Sequence, residues 1–178
     1  MATYNVGIGK EDIQQPVLLP EDWYMMELQK DSLAKNNAWK TAGEHLPLDQ
    51  AIQKDPKAGE NLVLQLKVVS DTPEFSGRYL TKYLPWPNPH DEGQFTGRGQ
   101  PKGDAKAEVI YTWVKALSGL AEGQEISLAP GQKCLVYIVQ EKDQNGQLTN
   151  SIAMNVAPRQ LGSSDLDFTN NSDPLGIL

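Results

Sequence analysis

Tyr79, Tyr83, Trp86 and Phe95 lie among Arg78, Lys82, Arg98 and Lys102. Flat aromatic faces interleaved with cations are what a single strand of nucleic acid needs, one set for its bases and the other for its phosphates. A β-strand would place Tyr79 and Tyr83 on one face and turn Lys82 to the other. The loop Gly97-Arg98-Gly99-Gln100-Pro101-Lys102-Gly103 could then fold its cations over a backbone. The same residues admit plainer uses. Tyrosines in a hairpin serve as core or cross-strand partners, and Trp86 between two prolines could cap the end of a barrel.

Catalytic chemistry has little to stand on. His45 and His90 are far apart, and a single histidine in the proline-rich string His90-Asp91-Glu92 is ordinarily solvated. Cys134 sits in the apolar run from Cys134 to Val139, the setting of a small core residue rather than a nucleophile. The glycine-rich loop lacks the residue order of a phosphate-binding loop, and no strand leads directly into it. Paired carboxylates occur only as scattered charges. We therefore expect no enzymatic activity, no cofactor and no metal.

The net charge of −7 opposes phosphate binding at first sight. Its distribution matters more. Asp165, Asp167 and Asp173 fall in residues 163–178 without any cation, and removing those three charges leaves −4 on the rest. In residues 76–103 the four cations outnumber Asp91 and Glu92, for a local balance of +2. The single cysteine excludes an intrachain disulfide and fits a reducing compartment. The first residues have neither a basic start nor an apolar core of a secretory signal, and no run is long enough to cross a membrane as a helix. A cytoplasmic location, that of a host cell if the gene is a phage's, is the expectation.

Five segments alternate or run apolar in the way strands do. Tyr24, Met26 and Leu28 share a face within 23–30; Leu62, Leu64, Leu66 and Val68 share one within 61–70. Residues 71–77 carry turn chemistry, so 61–70 and 78–84 form a hairpin. Segment 133–141 is rich in Val, Ile and Tyr, and Asp143-Gln144-Asn145-Gly146 turns it into a fifth strand, 148–156, with Leu148, Ile152, Met154 and Val156 on one face. Val109, Trp113, Ala116, Leu117 and Leu120 recur at helical spacing, which predicts a helix over 105–118 capped by Asp104 and stopped near Gly119. Residues 31–59 show no clean helical stripe and read as a long connection; the four prolines and four glycines of 85–103 exclude regular structure there.

Three strands, a helix and two strands is the order of an OB-fold: a mainly β, five-stranded barrel with one helix between its third and fourth strands. The expected organisation is an N-terminal arm over 1–22, the barrel domain over 23–162 and an acidic C-terminal tail over 163–178. Leu62, Leu64, Leu66, Val136, Ile138, Ile152 and Met154 should be buried together.

Several short motifs carry a family likeness. Leu19-Pro20, Trp23-Tyr24, Leu62 to Val69, Gly77-Arg78-Tyr79-Leu80, the helix over 109–120, Gly131-Gln132-Lys133 before 134–140, and Asn150 to Pro158 resemble a phage-encoded, single-stranded-DNA-binding-like family of the OB-fold group. The resemblance implies an OB barrel and a role in phage DNA replication or recombination. This chain departs from the pattern in its Pro/Gly stretch 85–103 and its connection 31–59. The family offers no matched set of binding residues, so the candidate site is the one the residues themselves propose: Arg78, Tyr79, Lys82, Tyr83, Trp86, Phe95, Arg98 and Lys102.

The expected function is binding of single-stranded nucleic acid, DNA before RNA, by stacking and basic loop contacts. Leu175, Ile177 and Leu178, at the end of the acidic tail, are the expected contacts to replication or recombination proteins. A virion structural or decoration protein, or another interaction component without enzymatic activity, is the alternative.

Overall fold

The computed structural model describes residues 17–119 and 127–162. Among the described residues it is mainly β, with three α-helices and one six-stranded antiparallel sheet. β1 (Asp22–Lys35) is the centre of that sheet. It pairs with β2 (Glu60–Val69) on one side and with β4 (Lys133–Lys142) on the other. β3 (Tyr79–Pro85) extends the sheet beyond β2, and β5 (Leu148–Ile152) extends it beyond β4. A two-residue strand, β6 (Arg159–Gln160), adds a second pairing to β4. The sheet is open: β3 and β5 approach each other, yet no backbone pairing joins them among the described residues.

Alternation sets which side is core. Leu62, Leu64, Leu66 and Val68 are all buried along β2, as their period of two predicts. Met26 and Leu28 from β1, Leu84 from β3, and Cys134, Val136 and Ile138 from β4 meet them, with Ile152 from β5. The register of β1 against β2 slips at Gln29, between the Leu28 and Lys30 pairings. Such a bulge bends a strand, and here it lets one 14-residue strand serve two neighbours.

The helix α3 (Lys102–Ser118) lies between β3 and β4 in the chain and buries Trp113, Ala116 and Leu117 in the same core. Gly119 ends it in the left-handed region, φ 67°, where glycine carries no Cβ penalty. The predicted cap is corrected: the helix starts earlier, after Pro101, and Asp104 stands in its first turn instead of capping it.

Residues 31–59 are not the plain connection the sequence suggested. β1 continues to Lys35, and α1 (Asn37–Gly43) and α2 (Leu48–Lys54) follow. Asn36 closes this excursion: its side chain accepts from the N–H groups of Trp39 and Gly59 and donates to the Lys57 carbonyl. Trp39 packs with Ala51 and Ala58 in a satellite core, its indole donating to the Leu46 carbonyl at 3.0 Å. Two helices of seven residues bury too few side chains to write a stripe in the sequence.

β5 is also shorter than expected. It stops at Ile152; the Ala153 N–H then bonds the Tyr137 carbonyl, and the chain leaves the sheet. Met154, predicted in the core, is 83% exposed, and Leu148 is exposed at the other end. The remaining six predicted core residues are buried together. Leu19, inside the expected arm, is fully buried, with its N–H and carbonyl both bonded to the Asn150 side chain.

Candidate nucleic-acid interface

The β2–β3 hairpin positions the two tyrosines. Gly77, at φ 80°, completes the turn, and the Gly77 N–H bonds the Val68 carbonyl. β3 then alternates as predicted: Leu84 faces the core, Leu80 packs against it, and Tyr79 and Tyr83 stand outside, 64% and 60% exposed. Register fills in what surrounds them. Tyr79 lies opposite Lys67, which lies opposite Glu27, which lies opposite Lys133. The next row is Thr81, Gln65 and Lys30; the one after is Tyr83, Val63 and Ser32. Directly paired residues share a face, so Lys30, Lys67 and Lys133 lie on the tyrosine side of the sheet.

One carboxylate interrupts this face. Glu27 accepts from the Gln29 amide at 2.7 Å and lies 3.6 Å from the Lys133 ammonium. The Gln29 hydrogen bond and then the lysine charges hold its carboxyl below the usual value. Farther along the same face Trp23 meets Tyr137 edge-on, with ring centroids 5.5 Å apart, and the Arg159 guanidinium covers Trp23 at 4.3 Å. Neither the lysines nor this aromatic pair belongs to the set singled out by sequence. Lys67 was within reach of sequence reasoning, since the hairpin register puts it opposite Tyr79; Lys30 and Lys133 required the central position of β1 and its bulge.

Tyr79 and Tyr83 share the outer side of β3, and the other sequence-predicted residues are placed as follows. Lys82 points inward and is half-buried, its ammonium 5.6 Å from the Trp113 ring centre. Desolvation lowers its pKa, against a smaller opposing influence from Glu141. Lys82, Tyr83 and Lys102 border one cavity between β3, the start of α3, and β5. Arg78 is half-buried and donates to the Glu74 carbonyl at the hairpin end. Trp86 is 37% exposed just past β3. Phe95, Arg98 and Lys102 sit on the 92–101 loop and its exit. There Phe95 forms an isolated bridge with Pro101, and Lys102 donates to the Gln94 side chain at 3.0 Å. Leu175, Ile177 and Leu178 lie outside the described residues.

That loop is anchored from below. Asp91, in a 3-10 turn over Pro89–Asp91, is buried; its carboxylate accepts from the Asn88 N–H and takes both oxygens to Lys106 at 2.8 and 2.9 Å. Of the string His90-Asp91-Glu92, the middle carboxylate is thus committed to structure. Cys134 is fully buried, and desolvation pushes its thiol up to about 12. No described helix is long and apolar enough to cross a membrane. The chain matches no protein-family model and no curated protein.

Proposed function

We propose that this protein binds single-stranded nucleic acid, DNA in the first place, on the outer face of β1, β2 and β3, and that its sheet is an OB-like barrel. The observation that carries the reading is the row of exposed Tyr79 and Tyr83 beside Lys67 and Lys30 on a rigid three-stranded surface. Two rings four residues apart on a strand are roughly 13 Å from each other, enough to stack two bases that are not neighbours. The lysines then meet the phosphates between them.

The strand order supports the scaffold. A long, bulged β1 pairs with both β2 and β4, the two ends of the path are β3 and β5, and a helix separates β3 from β4. OB barrels bind oligonucleotides on the face of their second and third strands, flanked by the loops after the first and fourth. That face is the one with the tyrosines. A part in phage replication or recombination follows from the resemblance of the sequence motifs alone, as does the expectation of partner proteins in those processes.

Fluorescence anisotropy with a labelled oligo(dT) at low and high salt tests the reading. Saturable binding at low salt, lost in a Tyr79→Ala/Tyr83→Ala variant that still melts cooperatively, is the expected result. Absence of binding by the wild type at low salt would reject it and favour a non-enzymatic structural or virion component.

A further inference from the structure

Between β3 and β5 opens a cavity of about 660 Å³, within the roughly 300–1,000 Å³ of small-molecule sites. Leu80, Leu84, Trp113, Ile152 and Val156 make its wall apolar. Lys82 projects into this wall. Its ammonium lies near the Trp113 ring, and among the described residues it has neither a hydrogen-bond acceptor nor an ion pair. The other two lysines at the cavity are engaged, Lys106 with Asp91 and Lys102 with Gln94. Glu141, the one carboxylate among the described lining residues, is exposed and accepts from the Ser151 hydroxyl.

A half-buried cation without an acceptor, set in an apolar cavity, specifies its complement. A neutral apolar guest would take more water from Lys82 and return nothing, and a cationic guest would repel it. We propose that this cavity binds an anionic amphiphile, a molecule with an apolar body and a single carboxylate, sulfonate or phosphate head, with the head on Lys82 and the body between β3 and β5. Lys82 and Tyr79 project to opposite sides of β3, and the cavity meets the tyrosine face only at Tyr83, which borders both. The proposal does not rest on the nucleic-acid reading and stands if no oligonucleotide binds.

The full chain is titrated with 1-anilinonaphthalene-8-sulfonate, followed by displacement with dodecanoate, dodecanol or dodecyltrimethylammonium, all below micelle-forming concentrations. The sulfonate should bind saturably at one site and dodecanoate should displace it, with the alcohol and the ammonium weaker by about tenfold or more. Lys82→Met should remove the preference for dodecanoate over dodecanol. Ala157→Trp, which fills the cavity, should abolish binding of every probe; circular dichroism and melting check that both variants fold. Equal binding of dodecanoate and dodecanol, or an unchanged preference in Lys82→Met, overturns the proposal. So does binding seen only after residues 163–178 are removed, which would make the chain's own acidic end the occupant. Displacement of the sulfonate by oligo(dT) would likewise assign the cavity to nucleic acid instead.

Discussion

Tyr79 and Tyr83 stand on a strand held to the core by Leu84, so the backbone fixes the side on which they project, and a tyrosine has only two side-chain torsions to lose on binding. Replacing either with Ala should weaken oligo(dT) binding by about 1–3 kcal/mol for each base that stacks there, and should leave thermal stability nearly unchanged because both rings are mostly in solvent. Lys82 behaves differently. Its lowered pKa means that the unfolded chain holds this proton more tightly than the native one. The charge on Lys82 thus works against folding at neutral pH, and that opposition fades as pH rises through the native pKa toward the ordinary 10.5. A Lys82→Met variant should melt above the wild type at neutral pH, with the gap closing as pH nears that value; a gap independent of pH would assign the gain to packing. Cys134, neutral and fully buried near the start of β4, should resist thiol reagents near about pH 8, where an exposed thiol reacts readily. Its labelling in urea should follow global unfolding as seen by circular dichroism.

The 3-10 turn and α3 are joined by one buried contact. Asp91→Ala leaves Lys106 without its partner and the Asn88 N–H without its acceptor. We expect a loss of about 3 kcal/mol, at the low end for a broken buried pair because Lys106 keeps some contact with water, and faster hydrogen exchange in residues 86–101 than in β2. The elements that sequence made legible are those whose burial repeats along one face. The four leucine and valine positions of β2, the turn at 71–77, the α3 stripe and the turn before β5 all follow from a period and a turn signal. Short or interrupted patterns were not legible. The bulge at Gln29 changes which residues of β1 face inward, so the alternation of 23–30 does not continue in phase through 31–35. α1 and α2 each hide essentially one residue, Trp39 and Ala51. Met154 continued the alternation of β5 in sequence, but the ladder to β4 ends with the Ala153 to Tyr137 hydrogen bond and the chain bends away over 154–156. At the site, adjacency in sequence joined Lys82, Arg98 and Lys102 to the tyrosines; strand register adds Lys67 and Lys30 beside them, while Lys82 turns to the other side of β3.

The whole molecule carries −7, so a polyanion can bind only where cations dominate locally. Two patches compete for that role, and their salt dependence separates them. The tyrosine face offers Lys30, Lys67 and Lys133, the last partly offset by Glu27. The 92–101 loop and its exit offer Arg98 and Lys102. Each phosphate neutralised on a single strand contributes about −0.7 to the slope of log affinity against log salt. Binding confined to the sheet face should therefore show a slope of about −1.4 to −2.1, for two to three contacts, and Lys67→Gln should reduce its magnitude by about 0.7. Arg98→Gln and Lys102→Gln should leave it unchanged. A slope near −3.5, falling with either loop substitution, would extend the binding path from the sheet across the loop. The three aspartates of residues 163–178 add a further test of the same electrostatics. Removing that segment should tighten binding at low salt and make no difference at high salt, where the Debye length shrinks to a few ångströms. A gain that persisted at high salt would have to come from direct occupation of the site and not from charge.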